Sequence, residues 1–185
     1  MSKMKFNVHA GHNPDGKIAC GACGLIKEST EARKVKNEVI RLLREKGHKV
    51  YDCTGANGKN QADVLKKIVT KCNKHKVDLD ISIHFNAGAG DKKGNGKTTG
   101  TEVYVYSAES AAYPAAVRVD KAIAALGFKN RGVKERKDLY VLRRTNSPAM
   151  LIECCFVDDK DDVELYVYKK MAEAIVKGLL DDVEN

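Results

Sequence analysis

Apolar positions follow two different spacings along this chain. Between Thr30 and Lys46 they recur at steps of three and four, which predicts an amphipathic helix, and Gly47 stands at a typical helix end. From Leu79 to Phe85 they alternate with polar residues, which predicts a strand with one apolar face. Segments of these two kinds follow one another through the sequence.

The two patterns divide the whole chain into strands and helices. Further strands are predicted at Phe6–Ala10, 48–53, 101–106, 139–142 and 150–156, and further helices at 64–72, 109–126 and 161–180. Alternation of this kind is typical of a layered α/β domain. We therefore predict a single three-layer α/β/α domain over residues 1–180, with a mostly parallel, mixed central sheet flanked by helices. Residues 181–185 are predicted to be a tail or the start of a linker.

The composition is that of an ordinary globular protein. Of the 185 residues, 43% are apolar and 31% are charged. A membrane-spanning helix would need about 18 consecutive apolar residues, and the chain has no such run. The basic amino-terminal segment lacks the apolar stretch of a signal peptide. We expect a protein that is made in the cytoplasm of a bacterial host and released by a route other than ordinary secretion.

Six cysteines without a signal peptide indicate reduced thiols. Cys20 and Cys23 form a C-x-x-C pair, but a structural zinc site normally needs a second pair, and the adjacent Cys154 and Cys155 do not supply one. The C-x-x-C pair also lies in a glycine-rich loop, whereas a thioredoxin-like motif opens a helix. We interpret the cysteines as ordinary thiols. A second metal or redox role and a disulfide are the alternatives.

The chain is basic, with a formal net charge of +8 and a pI near 9.1. Such a charge suits a polyanionic partner, either a nucleic acid or a bacterial cell wall. The lysines are scattered, however, and no basic stripe interleaved with aromatic residues is present. We interpret most of the charge as a solvated surface and expect no nucleic-acid partner.

The glycine-rich segment 88–100 ends in a sequence that resembles part of a phosphate-binding P-loop. The first glycine of that motif would fall at Asp91, and the segment leads into a strand-like run, whereas a P-loop opens a helix. The pattern therefore favours a flexible loop at the edge of a site over a nucleotide-binding loop.

Polar residues with ligand chemistry stand where predicted strands end. His12 follows the first strand, and His84 and Glu153 lie near the ends of two later strands. Open α/β sheets place their sites outside the carboxyl ends of the strands. Glu28 precedes the first long helix. Catalytic zinc commonly takes three ligands from His, Asp and Glu, and a fourth carboxylate can act as a base, so these four residues predict metal-assisted hydrolysis.

The remaining histidines and one asparagine are interpreted separately. His9 lies three positions before His12, and residues three apart on a strand point to opposite faces, so we expect a structural or supporting role, with metal ligation as the minor alternative. His48 and His75 stand in lysine-rich contexts at helix ends and are expected to be exposed to solvent. Asn86, just after His84, is a candidate for substrate binding.

Four segments resemble the successive motifs of one enzyme family. The segments AGHN, GLIKE, DISIHFNA and RGVKERKDLYVLRRTNSPAMLIECCF are similar to those of the zinc-dependent N-acetylmuramoyl-L-alanine amidases of the amidase-3 type, found in bacterial autolysins and phage endolysins. The resemblance covers nearly the whole chain and is strongest to clostridial phage endolysin catalytic domains. It implies that His12, Glu28 and His84 bind Zn²⁺ and that Glu153 is the catalytic acid/base.

The resemblance also implies a substrate and a reaction. The enzyme would use zinc-activated water to cleave the amide between N-acetylmuramic acid and L-alanine in peptidoglycan, and thereby lyse the cell wall. We expect it to act as a monomer. Two alternatives stay open, which are another zinc peptidoglycan peptidase such as a carboxypeptidase, and a non-catalytic basic module that binds wall polymer.

Overall fold

One mixed sheet of six strands organises the computed structural model, which describes residues 3–180. The strands are β1 (Lys5–Ala10), β2 (Lys49–Asp52), β3 (Leu79–Asn86), β4 (Thr101–Val105), β5 (Asn130–Glu135) and β6 (Ala149–Phe156). The helices are α1 (Glu28–Glu45), α2 (Gln61–Cys72), α3 (Tyr113–Ala124), α4 (Tyr140–Arg144), α5 (Lys160–Leu165) and α6 (Tyr168–Leu180).

The strand order is β2-β1-β3-β6-β4-β5. The first four of these strands are parallel, β4 runs antiparallel to β6, and β5 runs parallel to β4. The carboxyl ends of β1, β3 and β6 therefore meet the start of β4 at one edge of the sheet. At this edge His84 is the register partner of Glu153, and Glu153 is in turn the partner of Glu102.

The sheet separates two apolar cores. The larger core includes Phe6, Ile81 and Ile83 and lies against α1, α3 and α6. The smaller core includes Leu151 and lies against α2 and α4 on the opposite face. Helices thus cover both faces, and the predicted three-layer α/β domain with a mixed sheet is confirmed. The predicted tail at 181–185 lies outside the described residues.

Two predicted elements are wrong. The segment 139–142, predicted as a strand, belongs largely to the short helix α4, which buries Val141 and Leu142 against α2. A brief apolar run shows no period that would distinguish a helix from a strand, so tertiary contacts decide which of the two forms. The predicted helix 161–180 is two helices, because the backbone is extended at Tyr166, whose ring contacts Phe85 edge-on at 5.2 Å.

Strand β5 was absent from the sequence prediction. Its sequence NRGVKE is mostly polar and gives no clean alternation. β5 is the last strand in the strand order and therefore an edge strand. Polar and charged residues are common on edge strands, because one edge has no neighbouring strand.

The prediction that His48 is exposed is also wrong. The turn at Gly47 brings His48 next to β1, where its side chain is buried. Its Nδ1 accepts a hydrogen bond from the backbone nitrogen of Met4, and its ring contacts Phe6 edge-on. His75 is half-buried and stacks on Tyr51 with 3.7 Å between ring centroids.

Candidate metal centre

Three predicted ligands meet at the carboxyl edge of the sheet. His12 Nε2 lies 3.2 Å from Glu28 Oε1, and His84 Nδ1 lies 3.0 Å from the same oxygen. All the candidate ligand atoms are within 4.8 Å of one another. Glu28 and His84 are buried and His12 is half-buried, so the cluster opens to solvent on the side of His12.

His12 is held in an unfavourable backbone conformation. Its φ is +65°, a region that residues other than glycine seldom adopt. Arg33 compensates, because its Nη2 donates to the carbonyl oxygens of His12 at 2.9 Å and Gly55 at 3.2 Å. His12 Nδ1 lies 3.2 Å from Gln61 Oε1, an acceptor that favours a proton on Nδ1 and leaves Nε2 free as a ligand.

Glu28 is the first residue of α1, and both its oxygens have fixed partners. Oε2 accepts from the backbone nitrogen of Ala22 at 2.7 Å, and Oε1 accepts from that of Phe85 at 3.2 Å. Burial raises the pKa of this carboxyl, but hydrogen bonds from His12 and His84 outweigh it and hold the pKa well below its usual range. Glu28 is therefore ionised at neutral pH, as a metal ligand must be.

Two glycines allow the backbone to approach the cluster closely. A Cβ at Gly11 would lie 2.0 Å from His84 Cε1. A Cβ at Gly21 would lie 2.5 Å from Glu28 Oε2, and Gly21 also has a φ of +83°. Any larger residue at either position would push a candidate ligand out of place.

His9 lies outside this cluster. Its side chain is buried inside the sheet region, and its Nδ1 is 3.4 Å from Ser82 Oγ. Burial, together with the charge of His84, lowers the pKa of His9 to about 3. A neutral, enclosed imidazole fits the supporting role expected from the sequence.

Glu153 stands beside the cluster on β6, directly opposite His84 of β3. Although the residue as a whole is half-buried, its Oε2 is fully buried and makes no hydrogen bond within the described part of the chain. Burial, with the negative charges of Glu28 and Glu102, raises the pKa of Glu153 to about 8. A carboxyl that exchanges its proton near neutral pH is suited to general acid/base catalysis.

Glu102 on β4 is a buried carboxylate that sequence reasoning missed. Its Oε1 accepts from Asn86 Nδ2 at 2.7 Å and from the Tyr104 hydroxyl, and its Oε2 accepts from Arg131 Nε at 2.9 Å and from Lys134 Nζ. Burial raises its pKa, but these donors outweigh that effect and bring the pKa to about 2. The only sequence signal is its place on the polar face of the run TEVYVY.

Both polar atoms of the Asn86 side chain have a partner within the protein. Besides donating to Glu102, Asn86 accepts a hydrogen bond at Oδ1 from the backbone nitrogen of Ala87 at 2.9 Å. The contact with Glu102 connects the end of β3 to the start of β4. Substrate binding by Asn86 stays a prediction.

The glycine-rich loop between β3 and β4 is tied to the end of β6. Asp158 accepts hydrogen bonds from the backbone nitrogens of Gly88, Ala89 and Gly90. Asp161 accepts from those of Asn95 and Gly96. The loop leads from strand to strand, as the sequence indicated, and acidic side chains hold it in place.

The paired thiols Cys154 and Cys155 lie in the core. Both are buried, and burial raises the pKa of each thiol well above its usual value. They are therefore protonated and inert as metal ligands or nucleophiles.

The fold and the cluster together define a class of protein. It is an α/β domain with a candidate metal centre of two imidazoles and a carboxylate, next to a half-buried glutamate of raised pKa. Residues 7–185 match the family model Amidase_3, described as N-acetylmuramoyl-L-alanine amidase, and the chain belongs to this family. The family is generally zinc-dependent. The predicted family membership is thereby confirmed.

Several relatives share most of this chain. An uncharacterized protein of Clostridium perfringens (strain 13 / Type A) is 37% identical over 179 residues, which are 93% of this chain and 51% of that protein. The endolysin of Bacillus phage SPP1 is 31% identical over 188 residues, which cover 96% of this chain and 64% of the endolysin. The chain thus spans about half the length of the clostridial relative.

Solved structures have the same fold. The catalytic domain of the CD27L endolysin, which targets Clostridia Difficile, superposes with a TM-score of 0.83 at 28% identity and covers 96% of this chain and 97% of that domain. The amidase AmiC2 of Nostoc punctiforme gives a TM-score of 0.79 at 25% identity. The match covers 100% of this chain and 99% of the AmiC2 chain. Within residues 3–180, no helix has the length and apolar character that crossing a membrane requires.

Proposed function

We propose that this chain is the catalytic domain of a peptidoglycan amidase that cleaves the amide between N-acetylmuramic acid and L-alanine. The observation that carries the proposal is the cluster of His12, Glu28 and His84 next to Glu153, whose pKa lies near neutrality. Relatives named endolysin and N-acetylmuramoyl-L-alanine amidase support the choice of substrate.

The donor set fits a zinc ion. Two imidazole nitrogens and one carboxylate oxygen are the usual protein ligands of catalytic zinc, and here they converge within 4.8 Å. Glu28 is ionised, and the contact of His12 Nδ1 with Gln61 leaves Nε2 free. When bound, zinc would polarise the scissile carbonyl and acidify a water molecule.

Glu153 performs the proton transfers in the proposed reaction. Its half-buried carboxylate takes a proton from the attacking water and then delivers it to the nitrogen of L-alanine as the C–N bond breaks. A carboxyl with a pKa near 8 both binds and releases a proton at neutral pH. Glu102 adds a fixed negative charge that keeps this pKa high.

The remaining residues of the site hold the ligands in place. Arg33 and Gln61 orient His12, whereas Ala22 and Phe85 orient Glu28 through their backbone nitrogens. Such outer contacts set both the direction and the basicity of metal ligands. The basic surface of the chain would favour approach to the anionic cell wall, which is the proposed place of action.

The test is a product analysis of digested cell walls with a matched inactive variant. Mass spectrometry should show stem peptides with a free L-alanine amino terminus and glycan strands of unchanged length. Glu153→Gln should retain stoichiometric zinc and lose hydrolysis. Release of only a carboxyl-terminal amino acid would instead identify a carboxypeptidase. Hydrolysis by Glu153→Gln at the normal rate would refute the proposed role of Glu153.

A further inference from the structure

A second group of metal-ligating side chains lies in the loop between β1 and α1. The carboxylate of Asp15 and the thiols of Cys20 and Cys23 have ligand atoms that all lie within 4.8 Å of one another. None of these residues belongs to the centre formed by His12, Glu28 and His84. Both thiols are free, Cys23 is exposed and Cys20 is half-buried.

We propose that Asp15, Cys20 and Cys23 bind a second divalent ion of the zinc type. Two cysteines separated by two residues have the spacing at which a single loop supplies two sulfur ligands to one zinc ion. The pair of sulfurs selects a thiophilic ion over calcium or magnesium, and Asp15 supplies the third ligand. The exposure of the cluster leaves a fourth position for water.

A cation already lies at this cluster. Lys27 Nζ is 2.8 Å from Asp15 Oδ2. The lysine side chain is 58% exposed, so it can turn into solvent when a metal ion takes its place. Surface ion pairs of this kind contribute little to stability, and displacement of the lysine is therefore easy.

Hydrogen bonds of Asn13 and of the backbone arrange the loop without using the side chains of the three ligands. The side chain of Asn13 donates to the carbonyl of Ile18 and to that of Gly58, and its backbone nitrogen donates to Ala19. A β-bridge between Cys23 and Lys27 closes the other end of the loop. The ligand positions are thus set by the fold, which lowers the entropic cost of binding an ion.

The segment between the two cysteines also contacts the first centre. The backbone nitrogen of Ala22 donates to Glu28 Oε2 at 2.7 Å, and the carbonyl of Ala22 accepts from the backbone nitrogen of Glu28 at 3.0 Å. Gly21 lies against the same carboxylate and His12. An ion bound by Cys20 and Cys23 would fix this segment, so the second site is structural and supports the orientation of Glu28.

Metal analysis and cobalt spectroscopy of the purified chain, kept reduced, test the proposal independently of any activity. We expect two zinc ions per chain, and one in the double variant Cys20→Ser/Cys23→Ser. His84→Ala is the matched control, because it removes a ligand of the first centre only and should also retain one ion. With Co²⁺, the wild-type chain and His84→Ala should show a thiolate-to-cobalt charge-transfer band that the double variant lacks.

Lys27→Ala gives a second measurement that does not touch the ligands. Removal of the competing ammonium should tighten binding at the thiol site several-fold in a chelator competition. One zinc ion per reduced wild-type chain with no thiolate-to-cobalt band would overturn the proposal. A thiolate-to-cobalt band that persists in Cys20→Ser/Cys23→Ser would also overturn the proposal. So would a Cys20–Cys23 disulfide whose formation leaves the metal content unchanged.

Discussion

Glu153 and Glu102 are direct partners across β6 and β4, yet their pKa values are displaced in opposite directions. The pKa of Glu102 is about 2 and that of Glu153 is about 8. Glu102 receives hydrogen bonds from four side chains, whereas Oε2 of Glu153 is buried without a partner within residues 3–180. Two carboxyls whose environments separate their pKa values in this way are typical of an acid/base site.

Glu153→Gln should stabilise the metal-free protein at alkaline pH. The pKa of Glu153 is raised on folding, so between about pH 4.5 and 8 the folded chain binds more protons than the unfolded chain, and stability falls as pH rises. Glutamine removes this ionisation and should raise the free energy of unfolding by about 4–5 kcal/mol at pH 8.5. Urea unfolding of both proteins at pH 5 and pH 8.5, with a chelator present, measures this difference in the free energy of unfolding. Equal pH slopes in both proteins would contradict the prediction.

Glu102→Gln should move the pH dependence of catalysis to lower pH. Loss of a neighbouring negative charge makes ionisation of Glu153 easier, so the pKa of Glu153 falls and the limb of the pH–rate profile that reports it shifts downward. The change should also destabilise the fold by about 2 kcal/mol, because Arg131 and Lys134 lose a buried partner.

The control for Glu102→Gln is Glu164→Gln, a substitution at an exposed glutamate, and its pH–rate profile should match that of the wild type. An unshifted profile in Glu102→Gln would separate Glu102 from the reaction.

Gly21→Ala should weaken metal binding, whereas Gly16→Ala should not. Both glycines lie in the same loop with φ near +80°, so both substitutions should lower the free energy of unfolding by about 1 kcal/mol. Only at Gly21 does the new Cβ collide with Glu28 Oε2, since nothing lies within 4 Å of the corresponding position at Gly16. We expect zinc affinity to fall about tenfold or more in Gly21→Ala, measured by chelator competition. Equal affinities in the two variants would show that Glu28 adapts.

Arg33→Gln should reduce metal affinity through its effect on His12. The guanidinium donates to the carbonyl oxygens of His12, Gly55 and Ser29 and thereby supports the left-handed backbone at His12. Loss of a supporting contact of this kind typically reduces metal affinity by about 10–100-fold. Arg41→Gln on the exposed face of the same helix is the control and should leave affinity unchanged. Wild-type affinity in Arg33→Gln would refute the proposed role.

The sequence by itself determined the candidate ligands and most of the sheet. Alternation from Leu79 to Phe85 places His84 on the polar face of a buried strand, and strand ends carry His12 and Glu153. These are local signals, because the direction of a side chain follows from the period of its own element. Glu28 was a candidate from its place before the predicted helix, and family motifs assigned it as a ligand. It lies two residues before the start of that predicted helix but within the first turn of α1.

Only the tertiary structure decided which residues face one another across elements. Nothing in TEVYVY distinguishes Glu102 from a surface carboxylate until the antiparallel pairing of β4 places it opposite Glu153. Asp15 likewise joins Cys20 and Cys23 only through the folding of the loop. Local periodicity reports burial and backbone conformation, whereas strand order, register and loop closure depend on contacts between distant residues. The candidate ligands could therefore be predicted from the chain, but the charges that tune Glu153 could not.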